Sequence, residues 1–136
     1  MAISMESIKT LRESTGAGMM DCKKALEATN GDVEAAIDWL RENGVIKASK
    51  KASRIAAEGL CAISVCGNTA AIVEVNAETD FVAKNDLFKS LVKTVADLVA
   101  ANAPVDMDAA NAIKSEEGTI AELVINATAR IGEKIS

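Results

Sequence analysis

The residues richest in chemical potential lie in one run, Glu74-Val75-Asn76-Ala77-Glu78-Thr79-Asp80-Phe81-Val82-Ala83-Lys84-Asn85-Asp86. Its four carboxylates, Glu74, Glu78, Asp80 and Asp86, invite general acid–base work. That chemistry needs company. The 136-residue chain has no histidine, and it offers neither a nucleophile constellation nor a convincing metal cluster. Acidic side chains beside a helix start have a plainer use: they cap free N–H groups and oppose the helix dipole. Cys22, Cys61 and Cys66 match neither a zinc knuckle nor a disulfide framework, so each reads as a small hydrophobe in a reducing compartment. The expectation is no enzyme, no cofactor and no metal.

A second run, Thr15-Gly16-Ala17-Gly18-Met19-Met20-Asp21-Cys22-Lys23-Lys24, raises the question of a phosphate loop. It fails on mechanics. A Walker loop needs four residues between its glycines followed by Gly-Lys-Ser/Thr, and a dinucleotide fingerprint needs a preceding strand and a third glycine. The glycines instead suit a tight helix-to-helix turn, and direct nucleotide binding by this chain is rejected.

Phe81 is the residue that composition makes conspicuous, because aromatics are only 2% of the chain: two Phe, one Trp and no Tyr. One reading makes it a core ring in the first turn of a helix under a hairpin. The other makes it an exposed anchor at a strand-to-helix corner, oriented by Asp80 and Lys84. A buried Phe contributes ~1.5–3 kcal/mol, and an interface anchor contributes upward of ~2 kcal/mol. Pattern alone does not separate them.

The elements that must position these residues follow from periodicity. Ser4 caps a first helix on which Met5, Ile8 and Leu11 recur, and Thr15 to Gly18 break it. A second helix runs from about Met19 to Ala28, with Met19, Cys22 and Leu26 on one side. After Asn30-Gly31, Asp32 caps a third helix carrying Val33, Ala36, Ile37 and Leu40, which Asn43-Gly44 should stop. Residues 46–58 read as a linker helix with Lys47, Lys50, Lys51 and Arg54 in one basic stripe, a solvated face or a contact for an acidic partner. Two β-prone runs flank Gly67-Asn68 as a hairpin. A helix follows over residues 85–101, with Leu87, Leu91, Val95 and Leu98 on a stripe that Phe88, Val92 and Val99 widen. A weakly marked helix near 106–114 precedes another, opened by a Thr119/Glu122 capping box. The fold class is α+β: residues 1–45 form a three-helix module, 46–58 a linker helix, and 59–136 half of an α+β core.

Charge supports two modules. Residues 1–54 hold nine Lys and Arg against eight Asp and Glu, whereas residues 55–136 hold six against twelve. The acidic second part would repel nucleic-acid phosphates, and no aromatic interleaves the basic stripe for base stacking. No apolar run reaches membrane-spanning length, and the N-terminus has no signal pattern, so a cytoplasmic protein without membrane attachment is expected.

The runs at 15–26, 45–59 and 74–86, with Ala129 to Ile135, stand in the order and approximate spacing of the bacterial elongation factor Ts family, which this chain resembles over at least residues 5–100. The resemblance implies a ubiquitin-associated-like N-terminal module and a guanine-nucleotide exchange role toward the GTPase elongation factor Tu. In that family a Thr-Asp-Phe-Val element, here Thr79, Asp80, Phe81 and Val82, inserts its aromatic near the partner's bound Mg²⁺ and nucleotide, with Lys84 and Asn85 flanking. Thr15, Gly16, Ala17, Gly18, Met19 and Met20 match the module's contact with the GTPase. In longer family members the Ile-Gly-Glu at residues 131–133 leads into a second core half. The resemblance therefore implies either a truncated chain or a short form that completes its sheet as a homodimer. The alternative function is a helical adaptor whose first module binds a peptide without exchange activity.

Overall fold

Ser4 opens the first helix by accepting the Ser7 N–H on its side-chain oxygen at 3.0 Å. The computed structural model describes residues 3–136. Helix α1 (Met5–Thr15) ends at a left-handed Gly16, whose N–H donates to the Arg12 carbonyl at 2.8 Å. Helix α2 (Met19–Ala28) and helix α3 (Val33–Lys51) pack on it, and Asp32 caps α3 by accepting the Ala35 N–H. Their shared core is Ile8, Leu11, Cys22, Ala25, Leu26 and Ala36, with Trp39 partly buried beside it. The expected apolar stripes are thus trimmed: Met5 and Met19 are exposed, Ala36 is buried as its stripe expects, and Ala25 takes a core place that a search for large residues overlooks.

Helix α3 does not stop at Asn43-Gly44. It runs on to Lys51, so the boundary placed at residue 45 falls inside a continuous helix, and residues 52–57 are not helical. Asn43 Nδ2 donates to the Trp39 carbonyl at 2.9 Å, wrapping the helix rather than ending it. Gly44 is buried where a later helix crosses; a Cβ built there would lie 3.7 Å from the Ala129 Cβ. Tertiary packing outweighs the local stop signal. The basic stripe is also partly spent within the chain, since Lys47 pairs with Asp21 at 2.7 Å and Arg54 with Glu78 at 3.2 Å.

Strands β1 (Glu58–Cys66) and β2 (Thr69–Ala77) pair antiparallel around Gly67-Asn68, with Leu60 opposite Val75, Ala62 opposite Val73 and Ile63 opposite Ile72. Alternation sends Leu60, Ala62, Val73 and Val75 inward. It leaves Ile63, Val65 and Ile72 exposed on the outer face. Gly59 has φ +151, and a Cβ there would overlap the Val75 carbonyl oxygen and meet the Asn76 Cα at 2.8 Å. Only glycine lets the two strands approach that closely. Cys61 and Cys66 are exposed, so of the three thiols only Cys22 plays the core role expected for all.

A four-residue helix, α4 (Asp80–Ala83), turns the chain into helix α5 (Asp86–Asn102), which covers the inner face of the hairpin. Its buried set is Phe88, Val92, Val95, Ala96 and Ala100, while Leu87 is exposed. The small alanines pull the buried face away from the leucines that head the expected stripe. Short helix α6 (Met107–Asn111) and the two-residue strands β3 (Lys114–Ser115) and β4 (Gly118–Thr119) lead to helix α7 (Ile120–Ile131). That last helix carries the expected capping box: Glu122 N–H donates to Thr119 Oγ1, and Thr119 N–H donates to Glu122 Oε2. The tail then folds back along β2, where Asn76 and Ser136 exchange N–H···O bonds of 2.6 and 3.1 Å, and Ile135 is buried in the second core. No helix among the described residues is long and apolar enough to cross a membrane.

Candidate functional site

Two residues past the end of strand β2, Thr79, still extended at φ −126 and ψ 155, becomes the N-cap of α4. Its side-chain oxygen accepts the Val82 N–H at 3.4 Å. One turn of helix then divides the residues by direction. Ala83 is buried and Val82 packs on the second core, whereas the Phe81 ring is 82% exposed. The core reading of Phe81 is therefore set aside: a side chain with that exposure contributes little burial energy to its own fold. Beside it Lys84 Nζ lies 3.3 Å from Asp80 Oδ2, an exposed pair one helical turn apart. Asn85 is committed to capping α5, accepting the Leu87 N–H on Oδ1 at 2.8 Å.

A four-residue helix has little intrinsic stability, so contacts from outside it bear on how the corner is held. The Glu133 carboxylate makes three of them. Its Oε1 accepts the Glu78 N–H at 3.1 Å and the Thr79 N–H at 3.0 Å, and its Oε2 accepts the Thr79 hydroxyl at 2.8 Å. In return Glu78 Oε1 accepts the Lys134 N–H at 2.7 Å and pairs with Arg54. The Lys134 N–H, followed by the Arg54 guanidinium, holds the Glu78 carboxyl below its ordinary range. Asp80 and Asp86 occupy first helical turns, where they oppose the helix dipole, but the caps expected of acidic side chains are supplied by Thr79 and Asn85 instead. Among the described residues no group of three or more His, Cys, Asp or Glu could hold a metal ion.

The second set of residues lies at the α1–α2 turn. Thr15 Oγ1 donates to the Leu11 carbonyl at 2.6 Å and accepts the Ala17 N–H at 3.3 Å. The Cys22 thiol, its pKa raised mainly by burial, points at the Ala17 carbonyl at 3.7 Å. Gly16 sits left-handed at φ +66, and the Arg130 guanidinium occupies the space a Cβ would take. Gly18 is the α2 N-cap, and Met19 and Met20 then project into solvent, 50% and 63% exposed. The turn and the Phe81 corner belong to different cores, yet the end of α7 and the segment just after it meet both, through Arg130 and Glu133. Sequence reasoning missed Arg130, Glu133 and the Arg54–Glu78 pair. The only signal for Glu133 was its place in a recognisable terminal run; nothing in spacing links it to Thr79.

Fold and site define an α+β protein with an N-terminal helical module of the ubiquitin-associated type, residues 6–40 matching the UBA/TS-N domain model. Residues 78–136, which hold the Phe81 corner and Glu133, match the family model described as Elongation factor TS. Elongation factor Ts of Pediococcus pentosaceus is 56% identical over 135 residues, 99% of this chain and 46% of that protein. Elongation factor Ts of Lactococcus lactis subsp. cremoris is 56% identical over 137 residues, covering 100% of this chain and 40% of the relative. The chain belongs to the elongation factor Ts family, and it spans less than half the length of these curated relatives.

Proposed function

We propose that the chain acts in translation elongation as a guanine-nucleotide exchange factor that speeds GDP release from elongation factor Tu. The observation that carries this reading is Phe81, a scarce aromatic held 82% exposed on a braced corner. Phe81 acts as a wedge near the partner's Mg²⁺ and nucleotide site. Thr79, Asp80 and Val82 form its base, and Lys84 and Asn85 its flank. Thr15, Gly16, Ala17, Gly18, Met19 and Met20 supply a second contact from the helical module.

Exchange of this kind requires no catalytic group and no cofactor in the chain itself. The factor binds the nucleotide-free partner more tightly than the nucleotide-bound one, and linkage weakens nucleotide binding by the same ratio. A differential of about 4 kcal/mol corresponds to roughly a thousandfold change in affinity. One large buried ring with charge-assisted neighbours reaches that order. In this reading residues 1–45 are the helical module, 46–58 the junction and 59–136 the half-core, and the setting is the cytoplasm.

The test follows release of fluorescent GDP from elongation factor Tu after addition of the chain or of Phe81→Ala. The parent accelerates release, and the variant loses at least about tenfold of that acceleration; equal rates for the two proteins remove the wedge. Exposed Met19 and Met20 support a second reading, a helical adaptor that binds a peptide through its first module alone. Binding to a partner that is unaffected by Phe81→Ala would favour it. A second copy of the chain is a further partner in this reading, one that completes the sheet through the half-core. Solution mass by light scattering tests that assignment, a monomer at all concentrations counting against it.

A further inference from the structure

Glu133 lies 52 positions beyond Phe81 in the sequence, outside the acidic run. Its carboxylate nevertheless takes both N–H groups that lead into α4 and the hydroxyl of that helix's N-cap residue. We propose that Glu133 is a positioning residue for Phe81. It fixes the backbone of Glu78 and Thr79, and so the direction in which the one-turn helix presents the ring. This deepens the exchange reading and rests on it.

Three features set this arrangement apart from an ordinary surface contact. Both oxygens of one carboxylate are used, and two of the three donors come from consecutive backbone amides, so the hold is on the chain's path. The bond is reciprocated, because Glu78 takes the N–H of Lys134, the residue after Glu133. The strap itself is anchored on both sides: Ile135 is buried, its N–H donating to Thr128 Oγ1 at 3.3 Å, and Ser136 is paired with Asn76. Without the strap a four-residue helix would sample many orientations, and ordering it would be charged against binding. Charge-assisted hydrogen bonds to backbone N–H groups are among the stronger local restraints available.

The test is a double-mutant cycle on fluorescent-GDP release from elongation factor Tu, using the 136-residue parent, Glu133→Ala, Phe81→Ala and the double variant. Glu133→Ala should slow stimulated release about tenfold in the parent background and less than about twofold when Phe81 is already Ala. Glu133→Gln, which keeps an acceptor oxygen for the two amides, should recover release to within about threefold of the parent. Equal losses in both backgrounds, or no loss in the parent, overturn the proposal. Amide hydrogen exchange of each chain alone gives a reading independent of the GTPase. Glu133→Ala should speed exchange at Glu78 and Thr79 at least about tenfold while the β1–β2 amides of Ala62 and Val73 stay unchanged. Uniform acceleration, or none, also overturns it. Should Phe81→Ala release GDP as fast as the parent, the wedge assignment fails and the amide pattern still decides the role of Glu133.

Discussion

Phe81 and Phe88 are seven residues apart, yet one ring is 82% exposed while the other is completely buried beneath the hairpin. The break between α4 and α5 at Lys84-Asn85 lets two neighbouring aromatics face opposite ways. Their truncations should therefore differ sharply. Phe88→Ala is expected to cost about 3–5 kcal/mol of folding free energy, whereas Phe81→Ala should change it by less than about 0.5 kcal/mol. Urea denaturation of the two variants checks this, and comparable losses would contradict the burial described.

Two glycines make a matched pair of opposite sign. Gly44 is helical and has room for a methyl 3.7 Å from the Ala129 Cβ. Gly44→Ala should stabilise the chain by about 0.5–1 kcal/mol through helix propensity. Gly59→Ala must place a Cβ inside the Val75 carbonyl at φ +151. A loss of about 2–3 kcal/mol is expected there. Melting curves that rank the two variants the other way would be incompatible with the strand register and the α3–α7 crossing.

The Glu78 carboxyl ties acid stability to the corner. Its folded-state pKa lies below the ordinary 4.5, first through the Lys134 N–H and then through Arg54. The unfolded chain therefore binds the proton more readily. The contribution is present in full above the ordinary glutamate range and is lost as pH falls through the lowered folded value. Glu78→Gln should be less stable than the parent at neutral pH, and the gap should close below about pH 4.5. Urea midpoints measured across pH 2–7 give the comparison; a gap independent of pH would assign the effect to packing.

Thiol chemistry divides the cysteines. Cys61 and Cys66 are exposed on the hairpin, and Cys22 is buried with its pKa raised by that burial. A disulfide reagent at pH 8 should label two thiols per folded chain promptly and the third only after unfolding. Prompt reaction of all three would place Cys22 outside the first core.

Much of this architecture is legible in local pattern. Ser4, Asp32 and Thr119 each cap the helix that their neighbours' periodicity announces, and Gly67-Asn68 joins the two strands expected on either side of it. Where reading failed, the deciding residue was distant. Gly44 carries a stop signal that the crossing of α7 overrides, and the buried face of α5 is set by alanines that meet the hairpin. The exposure of Phe81 could not be derived from its neighbours, because a ring in a first helical turn faces in or out according to how the next helix docks. Glu133 was hidden for the same reason: its partners lie more than fifty positions away.

Helix α3, 19 residues long, passes through residue 44 as a single strut of about 28 Å. A hinge at that position would have freed the methionine edge from the second core. The unbroken helix, seated on α7 at Gly44, holds that edge at one distance from the core instead. On the proposed exchange reading, a partner seated at one of the two contacts then reaches the other with little search.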